Sequence, residues 1–198
     1  MKLSKITAIL LAILGMAYQM SASAAYQYAT NVIGFSTQWS SSAWSANQAL
    51  GAPDTGAYGD ISTAWAPATK DATLEYLTLG FDTPVYSTGA VIRETYGNGF
   101  VYQVDAVAAD NSYHTVWSGT DTTAPGTPAD FVLSWTTTAF QTIGLKIYVD
   151  TNHDLSAWEE IDAVQLSDAT AVPEPGTVAT LLTGLGLMGF MMRRRKAR

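Results

Sequence analysis

Cysteine is absent from the 198 residues, which excludes disulfide bonds, thiol catalysis and cysteine-ligated zinc. Charged residues make up only 14% of the chain. Cations are scarcest in the middle, because residues 26–171 hold three of the ten Lys and Arg residues but sixteen of the seventeen Asp and Glu residues. A surface with so few cations cannot offset phosphate charge, so we expect no nucleic-acid binding.

Sequence motifs of catalysis are missing as well. The two histidines, His114 and His153, belong to no G-x-S-x-G or H-E-x-x-H pattern. Among sixteen acids a chance pair of carboxylates is expected, so such a pair does not by itself indicate glycoside hydrolysis. A G-x-G-x-x-G pattern at residues 184–189 follows a proline-rich segment rather than a strand, and it does not predict a dinucleotide site. We therefore predict that the protein is not an enzyme.

Residues 1–25 have the pattern of a secretory signal peptide. Two lysines precede an apolar run over residues 6–17, and small residues follow at positions 22–24. The pattern predicts export by the Sec machinery and cleavage by signal peptidase, with the mature chain beginning at Ala25 or Tyr26. A permanent membrane helix is the alternative, but the apolar run is short for one.

Residues 172–198 combine three features in a fixed order. A proline-rich start, which disfavours helix, is followed by the uncharged residues 176–192 and by five cations among the last six residues. As a helix the uncharged stretch would be about 25 Å long, just enough to cross a bilayer. The cations that follow it would stay in the cytoplasm.

This three-part order resembles the PEP-CTERM sorting signal of Gram-negative bacteria. The resemblance implies recognition by an exosortase-type membrane protease, cleavage near Pro-Glu-Pro, and delivery to the cell surface or the extracellular matrix. An ordinary tail anchor is the alternative. The residues that carry the resemblance are Val172, Pro173, Glu174, Pro175, Arg193, Arg194 and Arg195.

Residues 26–171 alternate short stretches rich in Val, Thr, Tyr and Trp with clusters of turn residues. This pattern predicts an all-β fold, an antiparallel jelly-roll sandwich of about eight strands. One helical turn is expected at residues 45–50, and residues 120–129 are expected to form a long surface loop. The predicted strands are Asn31–Phe35, Thr73–Phe81, Ala90–Tyr96, Phe100–Ala108, Tyr113–Ser118, Asp130–Trp135, Thr142–Val149 and Glu160–Ser167.

Four segments of this region, residues 44–54, 74–81, 89–94 and 158–166, are similar to discoidin-like, galactose-binding-type jelly rolls. The resemblance implies a binding module for sugars, lipids or proteins. The chain departs from the pattern by an insertion at residues 56–67 and by the lack of a diagnostic sugar-binding motif.

Aromatic side chains in or beside the predicted loops are candidates for sugar binding, because exposed rings stack on sugar faces. A Gly-Asn-Gly turn at residues 97–99 would let a ligand approach the backbone. The alternative is that these rings fill the ends of the sandwich. The candidates are Trp39, Trp44, Trp65, Tyr96, Asn98 and Trp158.

Two groups of oxygen ligands suit a structural calcium ion. The discoidin-like resemblance implies that the early turn meets the last strand, which would set Asp54 beside Glu160. The second group is Asp150, Asn152 and Asp154, at alternate positions of one loop. Solvated acidic loops that cap their own backbone are the alternative for both. No other cofactor is expected.

These observations predict an exported, exosortase-sorted surface or matrix protein whose sandwich binds extracellular polysaccharide without catalysis. The alternative function is that of a structural acidic matrix protein, which acts through calcium bridging or self-association and has no sugar site.

The terminal signals predict a defined mature product. In a host with the matching exosortase, we expect the mature chain to begin at Ala25 or Tyr26 and to lose residues 176–198. The intact mass of surface-extracted protein measures both cleavages. A surface species that still carries the terminal arginines would contradict the sorting prediction.

Overall fold

The computed structural model describes residues 26–71 and 73–168. The predicted signal peptide, the sorting signal and the predicted helix at residues 176–192 lie outside the described residues. Within the described part of the chain, no helix is long and apolar enough to cross a membrane.

The described residues form nine strands and a short 3-10 helix, Ala46–Ala49. All eight predicted strands are present, two with their predicted bounds and the others with ends shifted by at most four residues. The additional strand, β1, is too short to show an alternating pattern, and it exists through its pairing with β9. The strands are β1 (Tyr26–Tyr28), β2 (Asn31–Phe35), β3 (Leu74–Val85), β4 (Ser87–Tyr96), β5 (Val101–Ala108), β6 (Tyr113–Ser118), β7 (Ala129–Ser134), β8 (Thr142–Asp150) and β9 (Glu160–Asp168).

The strands form two antiparallel sheets, of order β1-β9-β4-β7 and β2-β3-β8-β5-β6. The prediction of an all-β antiparallel sandwich is confirmed. The first and last strands pair at one edge, where Tyr26 is opposite Ser167 and Tyr28 is opposite Gln165. The loops after β2 and before β3 and β9 meet at one end of the sandwich, where Trp39 bonds to Ala66 and Trp65 bridges to Ile161.

The core is built from the inward faces of these strands. On β8, Leu145, Ile147 and Val149 are buried while Lys146 and Tyr148 are partly exposed. This is the period-2 alternation of a strand with one face against the core. The apolar side chains from both sheets join one buried cluster, which fixes the two sheets and the loops at their ends.

The predicted helical turn is confirmed as the 3-10 helix Ala46–Ala49, which is followed by Leu50 and by Gly51 with a φ of +85°. The expected surface loop at residues 120–129 is corrected in one respect. Asp121 is buried, and its carboxylate accepts hydrogen bonds from the N–H groups of Val101 and Thr123. Bonds from both sides therefore fasten the start of this loop to the end of the sandwich.

Gly89 is required where β4 approaches β7. A Cβ at this position would lie 2.3 Å from the carbonyl oxygen of Leu133, which is backbone and cannot turn aside. We expect Gly89→Ala to destabilise the fold by about 2 kcal/mol or more. Gly34, also in a strand, has nothing within 4 Å of the added Cβ, so Gly34→Ala should change stability by less than about 0.5 kcal/mol. Urea unfolding measures both values, and equal midpoints would contradict this packing argument.

Candidate functional site

A cleft of about 70 Å³ lies at the end of the sandwich where the loops after β2 and before β3 and β9 meet. The residues that line it are Trp39, Trp44, Asp60, Ala66 and Trp158.

Backbone hydrogen bonds hold the cleft-forming loops together. The N–H of Trp39 donates to the carbonyl of Ala66 at 3.0 Å, and the N–H of Ala66 donates to the carbonyl of Trp44 at 3.3 Å. Beneath them, Trp65 and Ile161 exchange two backbone hydrogen bonds, of 2.8 and 3.0 Å. The loop before β3 is thus joined to the start of the last strand, and the cleft is formed on rigid backbone.

Trp39 gives the cleft an exposed aromatic face. Its side chain is 51% exposed, and its ring meets Trp158 edge to face, with 5.3 Å between centroids and 79° between planes. The ammonium of Lys70 lies 5.7 Å from the centroid of the Trp158 ring, within the range of a cation–π contact. The rim therefore presents a flat apolar ring beside a positively charged donor.

Trp44 occupies the left-handed region of backbone space, with a φ of +51°. A bulky side chain seldom adopts this conformation, which costs about 1–3 kcal/mol and persists only where surrounding contacts enforce it. Here the indole Nε1 donates to the Oε1 of Glu160 at 3.2 Å. Strained residues of this kind concentrate at functional sites.

Glu160 supports the cleft from below and is fully buried. Its Oε2 accepts hydrogen bonds from the N–H of Ile61 at 3.3 Å and from the hydroxyl of Thr95 at 3.5 Å. Burial, and next the negative charge of Asp60, raise the pKa of Glu160 to about 8. At neutral pH Glu160 is therefore largely uncharged, while the exposed carboxylate of Asp60 faces the cleft.

The structure brings together three of the sequence-predicted ligand residues, Trp39, Trp44 and Trp158. Trp65 is corrected, because it is completely buried and its Nε1 donates to the carbonyl of Thr37 at 3.2 Å. It belongs to the core beneath the cleft and has no surface to offer a ligand.

Tyr96 and Asn98 are not among the residues that line the cleft. The Tyr96 ring packs against Tyr58 at 5.4 Å. Asn98 is fully buried, with its amide nitrogen donating to two backbone carbonyls. The turn around it is not open to a sugar ring either, because a Cβ at Gly97 would lie 2.5 Å from the carbonyl of Trp158 and one at Gly99 would meet His153.

Sequence reasoning did not single out Asp60, Ala66 or Lys70. The insertion at residues 56–67, relative to the discoidin-like pattern, is the available signal for Asp60 and Ala66, and Lys70 lies outside it. Nothing in the local sequence indicates that the one acid of this insertion, Asp60, lines a cleft with aromatic rings from other loops.

The early turn does meet the last strand. The N–H groups of Asp54 and Thr55 point to the Oδ1 of Asp162, at 3.4 and 3.2 Å. Asp162 follows Glu160 by two positions on β9, and its Oδ2 has no hydrogen-bond partner within the described residues. The contact recorded for Asp54 is therefore with Asp162, whereas the oxygens of Glu160 bond to Trp44, Ile61 and Thr95.

The loop of Asp150, Asn152 and Asp154 caps its own backbone. Asp150 accepts from the N–H of Asn152 at 2.9 Å, and Asp154 accepts from the N–H and hydroxyl of Ser156 at 2.9 and 2.6 Å. Across residues 26–71 and 73–168, no three acidic or histidine side chains gather closely enough to hold a metal ion. Calcium binding at either predicted place stays a prediction.

Two known family models together match most of the chain. Residues 18–174 match the family described as Pappalysin-1, SD scarf domain, C-terminal. The chain belongs to this family. Residues 171–196 match the PEP-CTERM protein-sorting motif, which confirms the prediction for the C-terminal signal and implies export with membrane anchoring before sorting. No curated protein matches the chain.

Solved structures show the same fold. One is a chain in the X-ray crystal structure of reduced XRCC1 bound to DNA pol beta catalytic domain, with a TM-score of 0.56, 15% identity and coverage of 73% of this chain and 99% of that chain. Another is the family 32 carbohydrate-binding module from Streptococcus pneumoniae EndoD, with a TM-score of 0.50, 11% identity and coverage of 70% and 95%. This likeness confirms the jelly-roll architecture of the SD scarf domain.

Behind Trp158 lies a buried carboxyl group, that of Glu159. The residue is fully buried, and neither carboxylate oxygen has a hydrogen-bond partner in the described part of the chain. Burial, followed by the charges of Asp71, Asp154 and Asp150, raises the pKa of Glu159 to about 9. The folded protein therefore retains this proton at neutral pH, whereas the unfolded chain releases it.

This difference predicts a pH-dependent stability. Between the unfolded pKa of about 4.5 and the folded pKa of about 9, the folded state holds the extra proton, so the free energy of unfolding falls as the pH rises, by up to about 1.4 kcal/mol per pH unit. Glu159→Gln should remove the contribution of Glu159 to this decline. The free energy of unfolding of the variant should equal that of the parent near pH 5 and exceed it at pH 8. Urea unfolding across this range measures the effect.

Asp110→Asn is the control, because hydrogen bonds from Ser112 lower the pKa of the exposed Asp110. In Asp110→Asn, the free energy of unfolding should still fall above pH 5 as it does in the parent. A Glu159→Gln variant with the same slope as the parent would contradict the assignment of the proton to Glu159.

Proposed function

We propose that this exported protein binds glycans of the extracellular polymer, without catalysis, through the cleft of Trp39, Asp60 and Trp158. The observation that carries the proposal is the convergence of an exposed indole face, a carboxylate and an aromatic edge on one rigid, strained loop system.

The dimensions of the cleft support a sugar ligand. Pockets that enclose small molecules usually have volumes of about 300–1,000 Å³, whereas this cleft has about 70 Å³. A ligand here would be contacted mainly on one face. A pyranose ring suits such a surface, since its apolar face stacks on an indole while its hydroxyl groups reach a carboxylate and an ammonium. Asp60 and Lys70 would supply those two groups.

The charge of the domain indicates which glycans fit. Residues 26–171 hold sixteen acids and three Lys or Arg residues, and such a field repels polyanions. Neutral or amino sugars are therefore favoured over uronic acid polymers. The jelly-roll of a carbohydrate-binding module, that of Streptococcus pneumoniae EndoD, has the same fold, which supports the class of function but not the choice of sugar.

The terminal signals support a route for this activity. The Sec machinery and signal peptidase would export the chain and release its N-terminus, and residues 176–192 would hold it in the inner membrane as a helix. An exosortase-type protease would then cleave near Pro-Glu-Pro, as the sorting motif at residues 171–196 indicates. The final location would be the cell surface or the matrix of a Gram-negative bacterium.

The second candidate function is that of a structural acidic matrix protein that acts through calcium bridging or self-association. The excess of acids over cations favours it. Evenly acidic surfaces with every tryptophan buried would suit that function best, and the half-exposed Trp39 in a cleft departs from this picture. We therefore place glycan binding first.

A structural calcium ion near Asp54 is compatible with either function. The residues there fit such an ion in part, because the Oδ2 of Asp162 is a buried oxygen without a recorded partner in the described residues. Asp54 and Asp162 would hold the ion, with Glu160 close by on the same strand. The ion would neutralise two carboxylates and tie the early turn to the last strand.

A glycan array probed with the full chain tests the sugar site, with calcium and with EDTA. Trp39→Ala should weaken binding to the recognised glycans by about tenfold or more, because it removes the stacking face. The matched control is Tyr86→Ala, since the Tyr86 side chain is also 51% exposed but does not line the cleft. It should leave binding unchanged.

Two outcomes would overturn the proposal. One is the absence of binding to any glycan in either condition, which would favour the matrix function. The other is an equal loss of binding in both variants, which would show that the cleft is not the site.

A further inference from the structure

Two buried acids lie at the same end of the sandwich without lining the cleft. Glu94, on β4, is fully buried, and Asp121, in the loop after β6, is 5% exposed. Thr123 stands between them. Its hydroxyl oxygen is 2.5 Å from the Oε2 of Glu94 and 2.8 Å from the Oδ1 of Asp121.

If both acids are ionised, there are too few hydrogen-bond donors for the close contacts between these oxygens. A threonine hydroxyl has one hydrogen to donate, so it can serve only one of the two carboxylates at a time. The backbone N–H groups of Gly99, Thr123 and Val101 supply other bonds to the pair, at 3.0, 2.9 and 3.4 Å. The remaining close contact between oxygens needs either a proton or a cation.

Two further buried oxygens lack donors in the described part of the chain, one on Glu94 and one on Asn98, the residue before the Gly99 whose N–H binds Glu94. The Oε1 of Glu94 and the Oδ1 of Asn98 are buried and have no hydrogen-bond partner among the described residues. The orientation of the Asn98 amide is fixed, because its nitrogen donates to the carbonyls of Ala124 and Thr127 at 3.3 and 2.9 Å. An unsatisfied buried acceptor destabilises the folded state, so a cation that contacts these oxygens would stabilise it.

The lysine and arginine side chains of the described residues contact groups other than Glu94 and Asp121. Arg93 pairs with Asp130 at 3.0 Å, Lys146 lies 4.0 Å from the centroid of the Tyr76 ring, and Lys70 lies over Trp158. Burial, together with the hydrogen bond and charge of Asp121, raises the pKa of Glu94 to about 9. The pair therefore keeps a proton when no cation is available.

We propose that Glu94, Asp121 and the amide oxygen of Asn98 bind a divalent cation, and that the ion is calcium. All the available ligands are oxygens, two of them on acids, as hard cations prefer. Calcium accepts irregular sets of carboxylate, amide and carbonyl oxygens, whereas magnesium demands near-ideal octahedral geometry and usually keeps several waters. The ion would replace the shared proton and link β4, the turn at residues 97–99 and the loop after β6.

This site is separate from the acids around Asp54, which lie on the early turn and on β9. Its ligands come from β4, from the turn that follows β4, and from the loop after β6. Binding at one place can therefore be removed without changing a ligand of the other, and the two ions can be counted separately.

Calorimetric titration of the full chain with calcium chloride tests the proposal, together with melting temperatures in calcium and in EDTA. Glu94→Gln and Asp121→Asn each remove one charge with little change of shape. We expect each to lose one equivalent of bound calcium and the corresponding rise in melting temperature, with circular dichroism showing an intact fold. If one of them does not fold, the other gives the answer.

Asp162→Asn and the double change Asp150→Asn with Asp154→Asn are the controls. Both should retain the equivalent that Glu94→Gln loses. The proposal is overturned if the parent binds no calcium, if Glu94→Gln and Asp121→Asn bind as much as the parent, or if only a control variant loses binding.

Discussion

The two backbone hydrogen bonds between Trp65 and Ile161 are the constraint on which this end of the molecule depends. They attach the loop before β3 to the start of the last strand. As a result, Trp158 and Glu160 come under the loops that carry Trp39 and Trp44. The indole of Trp65 fills the space beneath, and the floor of the cleft is core rather than loop. A cleft made from loops gains in this way the rigidity of the sandwich.

Shortage of cations shapes the interior as much as the surface. Glu94, Glu159 and Glu160 are fully buried, and the three Lys and Arg residues between positions 26 and 171 make their recorded contacts with other partners. Buried carboxyl groups without an ionic partner hold a proton, or attract a metal ion, because an isolated charge in a low-dielectric interior is too costly. Neutralisation of these buried acids therefore falls to protons or small cations rather than to lysine or arginine side chains.

Much of the fold was predictable from sequence, because strands with one buried face alternate with a period of two and turns carry Gly, Pro and Asn. The three-residue strand β1 was missed since it is defined only by its partner. For the site, the sequence predicts Trp39, Trp44 and Trp158 correctly as aromatic residues of the loops. It does not distinguish them from Trp65, which is buried in the core. Its burial comes from a bridge to Ile161, far away in sequence, and no local pattern records such a contact.

The pairing of β1 with β9 joins the first strand of the domain to its last. A chain that crosses a membrane N-terminus first delivers β1 at the beginning of transit and β9 at the end. Until then, one sheet has an open edge, and β4 lacks a neighbour on one side. The sandwich is therefore completed only after nearly the whole domain has left the cytoplasm. For a chain exported in this direction, the core would close only when the last strand, next to the sorting motif at residues 171–196, has emerged.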